Sequence, residues 1–232
     1  MIRTSLASAL LATASAGTLL LGTGPVAHAA EPTPEPSVTI TQDPTAEPTT
    51  DQPAADPLQP VIAEYDGRKI NLAKSWEGAS ICTELPGGEF HCYDTDAESL
   101  ADPALPAQVR KDSLKAAKLA AASDPHDNCA ADYWCLYADA NYKGRRLQFS
   151  SSGKKNLADY GFRDRLSSVF YWVARWPLNY GTATIWDSRS WPLHDRQRDL
   201  LPPHGWANFK NMDYPGGGDW NDKVDVFEVK RA

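Results

Sequence analysis

From Val61 onward, apolar positions recur at every second residue in short stretches, with glycine, asparagine or proline at their ends. That period belongs to strands buried on one face. Residues 64–70 place Asp66-Gly67 between two such stretches, the strongest short hairpin signal. Residues 79–84 and 89–93 flank Leu-Pro-Gly-Gly. Pairing Cys82 with Cys92 there sets Glu84 opposite Phe90 and leaves Pro86-Gly87-Gly88 as the turn. Residues 106–122 change both period and composition. Alanine, lysine and leucine dominate and Pro106 suits a first turn, so one helix is predicted, with a thin stripe of Val109, Leu114, Leu119 and alanines. Strands return over residues 127–232, with seven of the eight tryptophans.

The sharpest local pattern runs from Cys135 to Phe149. Tyr137 and Tyr142 stand five apart, Gly144 follows two later, and alternation resumes at Leu147 and Phe149. A strand that leaves one aromatic on the core and folds back over itself needs a second aromatic to cover the fold. It also needs a glycine where φ turns positive. Cys129 and Cys135 precede this hairpin, and Tyr-Gly-Phe-Arg-Asp-Arg-Leu-Ser-Ser-Val (residues 160–169) follows it.

This order resembles the folded hairpin of the βγ-crystallins and, more narrowly, the secreted bacterial peptidase inhibitor family 36, the Streptomyces metalloproteinase inhibitor-like proteins. The resemblance implies a sandwich of two Greek keys, since one alone leaves half of the sandwich uncovered. In the second half Trp186 and Trp191 keep the aromatic pair, but Leu193 stands where glycine is expected, which argues against a regular second hairpin. Residues 220–227 then correspond to 162–169, and the loop 201–219 is longer than its counterpart. The chain is therefore read as mainly β, a C-terminal two-Greek-key βγ-crystallin-like sandwich preceded by a small disulfide β-hairpin module and a connecting helix. The expected boundaries are a signal peptide over 1–29, a linker or pro-segment over 30–60, the β module over 61–100, the helical connector over 101–126 and the sandwich over 127–232.

The ends and the charge change the picture in three ways. Arg3, an apolar stretch over residues 6–21 and Ala27-His28-Ala29 have the form of a secretory leader, so the protein is expected to be secreted and extracellular. No later run approaches the ~18 apolar residues of a membrane span. Residues 31–60 hold six acids, no lysine or arginine and no aromatic, too little apolar surface to offset the entropy of ordering. Of the net charge of −7, only −2 remains once these six acids and Arg3 of the leader are set aside, which argues against nucleic-acid binding. Arg145, Arg146, Lys154 and Lys155 read as a solvated hairpin edge. Export makes the four cysteines disulfides; three pairings are open, and proximity favours Cys82 with Cys92 and Cys129 with Cys135. Each would stabilise by roughly 2–3 kcal/mol. The β module, with one disulfide, is expected to be marginal alone or docked on the sandwich.

Candidate chemistry points to binding, not catalysis. Nucleophile elbow, His-Glu-x-x-His and phosphate-loop motifs are all missing, the histidines lie apart, and Asp94, Asp96 and Glu98 read as an exposed acidic turn. The protein is expected to be no enzyme. What the resemblance implies first is inhibition of a metalloprotease, through a rigid exposed loop. The loop 201–219 fits, with Trp206 and Tyr214 as anchors for a secreted protease. It implies calcium second, although no cofactor is required. Asp164 with Ser167, and Asp222 with Asp225, take the positions of the family's ligands, while Arg163 replaces an Asx and opposes a cation. The alternative is a calcium-binding or glycan/cell-surface-binding module, in which exposed tryptophans, Trp176 and Trp206 foremost, stack on sugars. A monomer is expected.

Overall fold

The structure, a computed structural model, describes residues 57–119, 128–174, 181–190, 192–201 and 205–231. All lie in one unit, Thr50–Ala232. The leader, most of the linker, Trp176 and Trp191 lie outside the described residues.

Two hairpins open the fold. β1 (Ile62–Tyr65) pairs antiparallel with β2 (Arg68–Asn71), and Asp66 and Gly67 between them take positive φ of 51° and 69°. The expected Asp-Gly hairpin forms because both residues tolerate the left-handed region. β3 (Ile81–Glu84) pairs with β4 (Phe90–Tyr93) in the predicted register, Cys82 opposite Cys92 and Glu84 opposite Phe90, with a disulfide between the cysteines. Cys129 is bonded to Cys135.

A helix that the sequence reading missed follows. α1 (Asp96–Ala101) begins at Thr95, whose hydroxyl accepts from Glu98 N while Glu98 Oε2 accepts from Thr95 N at 3.1 Å. This capping box, with Thr95 three residues before Glu98, was the legible signal. Asp94, Asp96 and Glu98 therefore belong to a helix start, where carboxylates suit the dipole, and not to a bare turn. α2 (Ala107–Leu119) occupies most of the predicted helix, with Pro106 just before it.

The remaining strands are β5 (Trp134–Asp139), β6 (Lys143–Phe149), β7 (Gly153–Asn156), β8 (Ser168–Tyr171), β9 (Gly181–Asp187), β10 (Arg196–Leu200) and β11 (Val226–Arg231). Among the described residues they complete a seven-stranded sheet, β2-β1-β4-β3-β6-β5-β8, and a four-stranded sheet, β10-β9-β11-β7. β3 joins β6 in parallel, Ile81 beside Arg146 and Cys82 beside Leu147, so the disulfide hairpin continues the larger sheet. β7 leaves β5, β6 and β8 to pair with β11 in the smaller sheet. In return, Trp206 forms an antiparallel bridge to Val169 at the free edge of β8. Each half of the chain thus lends a segment to the other's sheet. β9 and β10 pair from Asp187–Arg196 outward, so a second hairpin forms although Leu193 replaces glycine, through a longer connection.

Because strand residues alternate, the larger sheet buries both faces. Trp134, Leu136, Leu147 and Phe149 face the smaller sheet and meet Ile185, Phe227 and Val229 in one core. Trp134 stacks on Tyr171 at 4.3 Å between ring centroids and lies edge-on to Phe227 at 5.6 Å. Cys135 and Tyr137 face the other way, into a second core with Leu100, Leu105 and Val109 from the helical region. Tyr137 is fully buried; Tyr142 crosses it edge-on at 5.7 Å and is half-buried. Gly144 follows at φ 75°, the backbone state expected of that position.

α2 does more than connect. Ser113 is buried in it, donating to Val109 O at 2.7 Å and accepting from Ala131 N at 2.8 Å, which fixes the helix to the Cys129–Cys135 loop. The thin apolar stripe is covered over its first part and not at its end: Val109 is buried and Leu114 and Ala117 pack partly against the second core, whereas Leu119 is 77% exposed.

Candidate functional site

Two equivalent turns meet at one end of the sandwich. Phe162, Leu166 and Val169 of the first are buried, as are Trp220, Val224 and Phe227 of the second, which fits the expected correspondence. Asp164 N donates to Val224 O and Asp222 N to Leu166 O, each at 3.2 Å, and both aspartates take φ of 54°. Ser167 N donates to Tyr137 O at 3.0 Å and Asp225 N to Trp186 O at 2.8 Å, tying each turn to a strand that carries a signature aromatic.

The candidate calcium ligands come together crosswise, not within each half as the sequence paired them. Ser167 Oγ donates to Asp222 Oδ1 at 3.3 Å. Arg163 Nε makes an ion pair, without an aligned hydrogen bond, to Asp225 Oδ1 and lies 3.7 Å from Asp164 Oδ2. The guanidinium thus stands where that carboxylate pair would receive a cation, so Asp164 and Asp225 do not fit calcium. Asp225 is buried, with Ser188 N donating to its Oδ2 at 2.6 Å. Burial raises its pKa above the ordinary carboxylate value, against the opposing pull of Ser188 and Arg163. Ser167 and Asp222 offer two side-chain oxygens, against the roughly six to eight oxygen ligands that calcium takes. Among the described residues no cluster of three or more His, Cys, Asp or Glu side chains is placed to hold a metal.

The long loop is braced at several points. Trp206 N donates to Val169 O at 2.7 Å and Val169 N returns a bond to Trp206 O at 3.0 Å. Its indole stacks on Trp134 at 6.4 Å, so Trp206 is half-buried and not the exposed anchor expected; completing the edge of the larger sheet recruits it. Asn141 N donates to Ala207 O at 2.6 Å, joining the loop to the first hairpin. Asp213 bridges Asp219, and Tyr214 N donates to Gly218 O at 3.1 Å. The Tyr214 hydroxyl donates to Asp187 Oδ2, and its ring lies edge-on to Trp220 at 5.1 Å. Burial first, then the bond to Asp187, raises the Tyr214 pKa. Residues 215–218 are exposed beyond this base. Asp187 as the loop's anchor carried no sequence signal, because nothing local links residues 27 apart.

The other sequence candidates separate. Arg146 pairs with Asp96 at 2.6 Å, Lys155 with Glu84 at 2.8 Å, Lys154 lies over Trp186 at 4.6 Å and Arg145 over Trp76 at 5.6 Å. These four cations form no shared solvated edge; strand alternation and the docked hairpin give each its own partner. His91 Nδ1 lies 2.9 Å from Asp102 Oδ2, which also accepts from the Tyr93 hydroxyl at 2.6 Å, fastening β4 to the end of α1. Trp220 is buried, and Trp172, Trp186 and Trp206 are half-buried.

Residues 122–189 match the family model of peptidase inhibitor family I36. No curated protein matches the chain. Among solved structures, the chain is similar to the N-terminal domain of protein S, with 13% identity and a TM-score of 0.31 over 43% of this chain and 97% of that one. The matched stretch runs from the region before Cys129 to just past β9, and the family it matches is the one that the sequence resembles.

Proposed function

We propose that the protein is a secreted peptidase inhibitor directed at a metalloprotease, and that residues 214–218 make the contact. The reading rests on the family match over residues 122–189 together with one observation, a short exposed tip on a braced base. A tip held this way binds without a large ordering cost, which is what separates an inhibitory loop from a flexible substrate. Tyr214 and Trp206 act as braces, and Pro215 to Gly218 present the backbone. Three consecutive glycines, with φ of 100°, 111° and 82°, let that backbone approach a cleft closely.

Titrating the purified protein against secreted zinc metalloproteases tests this. Near-stoichiometric loss of activity is expected, and Tyr214→Ala and Gly217→Arg should each weaken it. Full protease activity in micromolar excess of inhibitor would overturn the inhibitor reading. Equal inhibition by both variants would overturn the assignment of the tip, which lies outside the matched stretch. A second reading, calcium binding by a structural module, draws support from the contact between Ser167 and Asp222. A higher unfolding temperature in millimolar calcium, lost in Asp222→Asn, would support it; no shift would remove it.

A further inference from the structure

Lys74, Arg145, Arg163 and Arg165 line one open groove of about 470 Å³ whose wall also includes Trp76 and Gly161. Their positions in sequence give no hint of this. Lys74 and Trp76 come from the turn after β2, Arg145 from β6, and the other two arginines from the turn before β8. The groove exists because the N-terminal hairpins dock on the sandwich: Trp76 Nε1 donates to Tyr160 O at 2.7 Å, and the indole stacks on Phe162 at 5.9 Å. The Arg145 guanidinium lies 5.6 Å from the centre of that indole, so its base is held in place.

The charge in the groove is poorly compensated. Arg163 is shared with Asp225 and Asp164, and Glu77, the nearest acid along the chain to Lys74, is paired with Arg68 at 2.9 Å. Among the described residues Lys74, Arg145 and Arg165 enter no salt bridge, and all three are exposed. Gathering like charges in one groove is unfavourable unless an anion completes the set. Trp76 is 3% exposed, so the groove offers little apolar surface for a peptide side chain. Guanidinium forks match tetrahedral oxyanions in paired hydrogen bonds. We propose that this groove binds a multivalent phosphate, presented either by a polyol-phosphate polymer or by a free oligophosphate.

Isothermal titration calorimetry of the intact protein at low salt, with inorganic tripolyphosphate as probe, tests the proposal. Saturable binding at one site is expected, weakening steeply with added salt. The double variant Arg145→Gln/Arg165→Gln should lose roughly tenfold or more in affinity, because charge-assisted contacts are removed from two exposed positions. Lys154→Gln, whose amine lies over Trp186 instead, should bind like the parent. A glycerol-phosphate polymer that competes would identify the polymeric source; failure to compete alongside tripolyphosphate binding would identify the free one. No saturable binding, undiminished affinity in the double variant with its circular dichroism unchanged, or equal binding of poly-glutamate would overturn the assignment.

Discussion

Gln148 Nε2 donates to Thr83 Oγ1 at 2.7 Å across 65 residues of chain, and neither residue has any exposed surface. The same amide donates to Ser99 Oγ at 2.9 Å, and its oxygen accepts from Ala130 N at 2.9 Å. One side chain thus fastens the disulfide hairpin, α1 and the Cys129–Cys135 loop onto β6. A buried polar node of this kind costs most when it is half-satisfied.

Gln148→Leu should therefore destabilise by about 2–3 kcal/mol, because Ala130 N loses its acceptor and two hydroxyls lose a donor. Urea unfolding measures it. A double-mutant cycle with Thr83→Val should show coupling between the two positions; strict additivity would mean that the hairpin and sandwich do not share this node.

Glu84 sets an acid limit on stability. Burial alone would raise its pKa, but Lys155 and the Ser151 hydroxyl and backbone amide outweigh burial and hold it below the ordinary carboxylate value. A depressed folded-state pKa gives stability that is fully present above the unfolded value and is lost as pH falls through the folded one. Lys155→Met should cost about 2–4 kcal/mol at neutral pH, since it strands a buried carboxylate. It should also reduce the acid dependence measured by thermal unfolding between neutral pH and the carboxylate range.

Asp225 should act with the opposite sign. Its folded-state pKa is raised, so the unfolded chain gives up the proton first, and this group's contribution declines as pH rises from the unfolded to the folded value. Asp225→Asn should flatten that part of the profile while its amide oxygen still accepts from Ser188 N. Arg163→Gln should steepen it, at a cost of about 1 kcal/mol or less, because Arg163 is half exposed.

Gly161→Ala should damage the docking of the first hairpins more than the sandwich itself. Gly161 sits at φ 61°, and a Cβ there would stand 2.4 Å from the backbone oxygen of Leu72. Strain of about 1–3 kcal/mol is expected from the left-handed backbone, plus the displacement of Leu72. Trp76 is buried against Phe162, so a shift in tryptophan fluorescence should accompany the loss of stability. An unchanged spectrum would mean that the hairpins do not move.

Legibility followed the range of the interactions. The register of Cys82 with Cys92, the Asp66-Gly67 turn and the equivalence of residues 162–169 with 220–227 were open to reading, because alternation and turn chemistry are local. The capping box at Thr95 is equally local, although the three acids around it suggest only an exposed turn. Crosswise pairing of Ser167 with Asp222, and of Arg163 with Asp225, was hidden because the sequence aligns each half with itself. Trp206 illustrates the same limit: a loop tryptophan suggests exposure, until the edge of β8 requires a partner.

By itself, then, the amino-acid order determined where strands begin and turn, which residues of each half are equivalent, and the inhibitor family that the chain resembles. Those properties depend on backbone preference and spacing over a few residues. Tertiary structure alone decided that the larger sheet would be buried on both faces, that β3 would lie parallel to β6, and that cations from three separate segments would share one groove. Contacts of that kind close long stretches of chain and depend on complementary surfaces, which no short window of residues encodes.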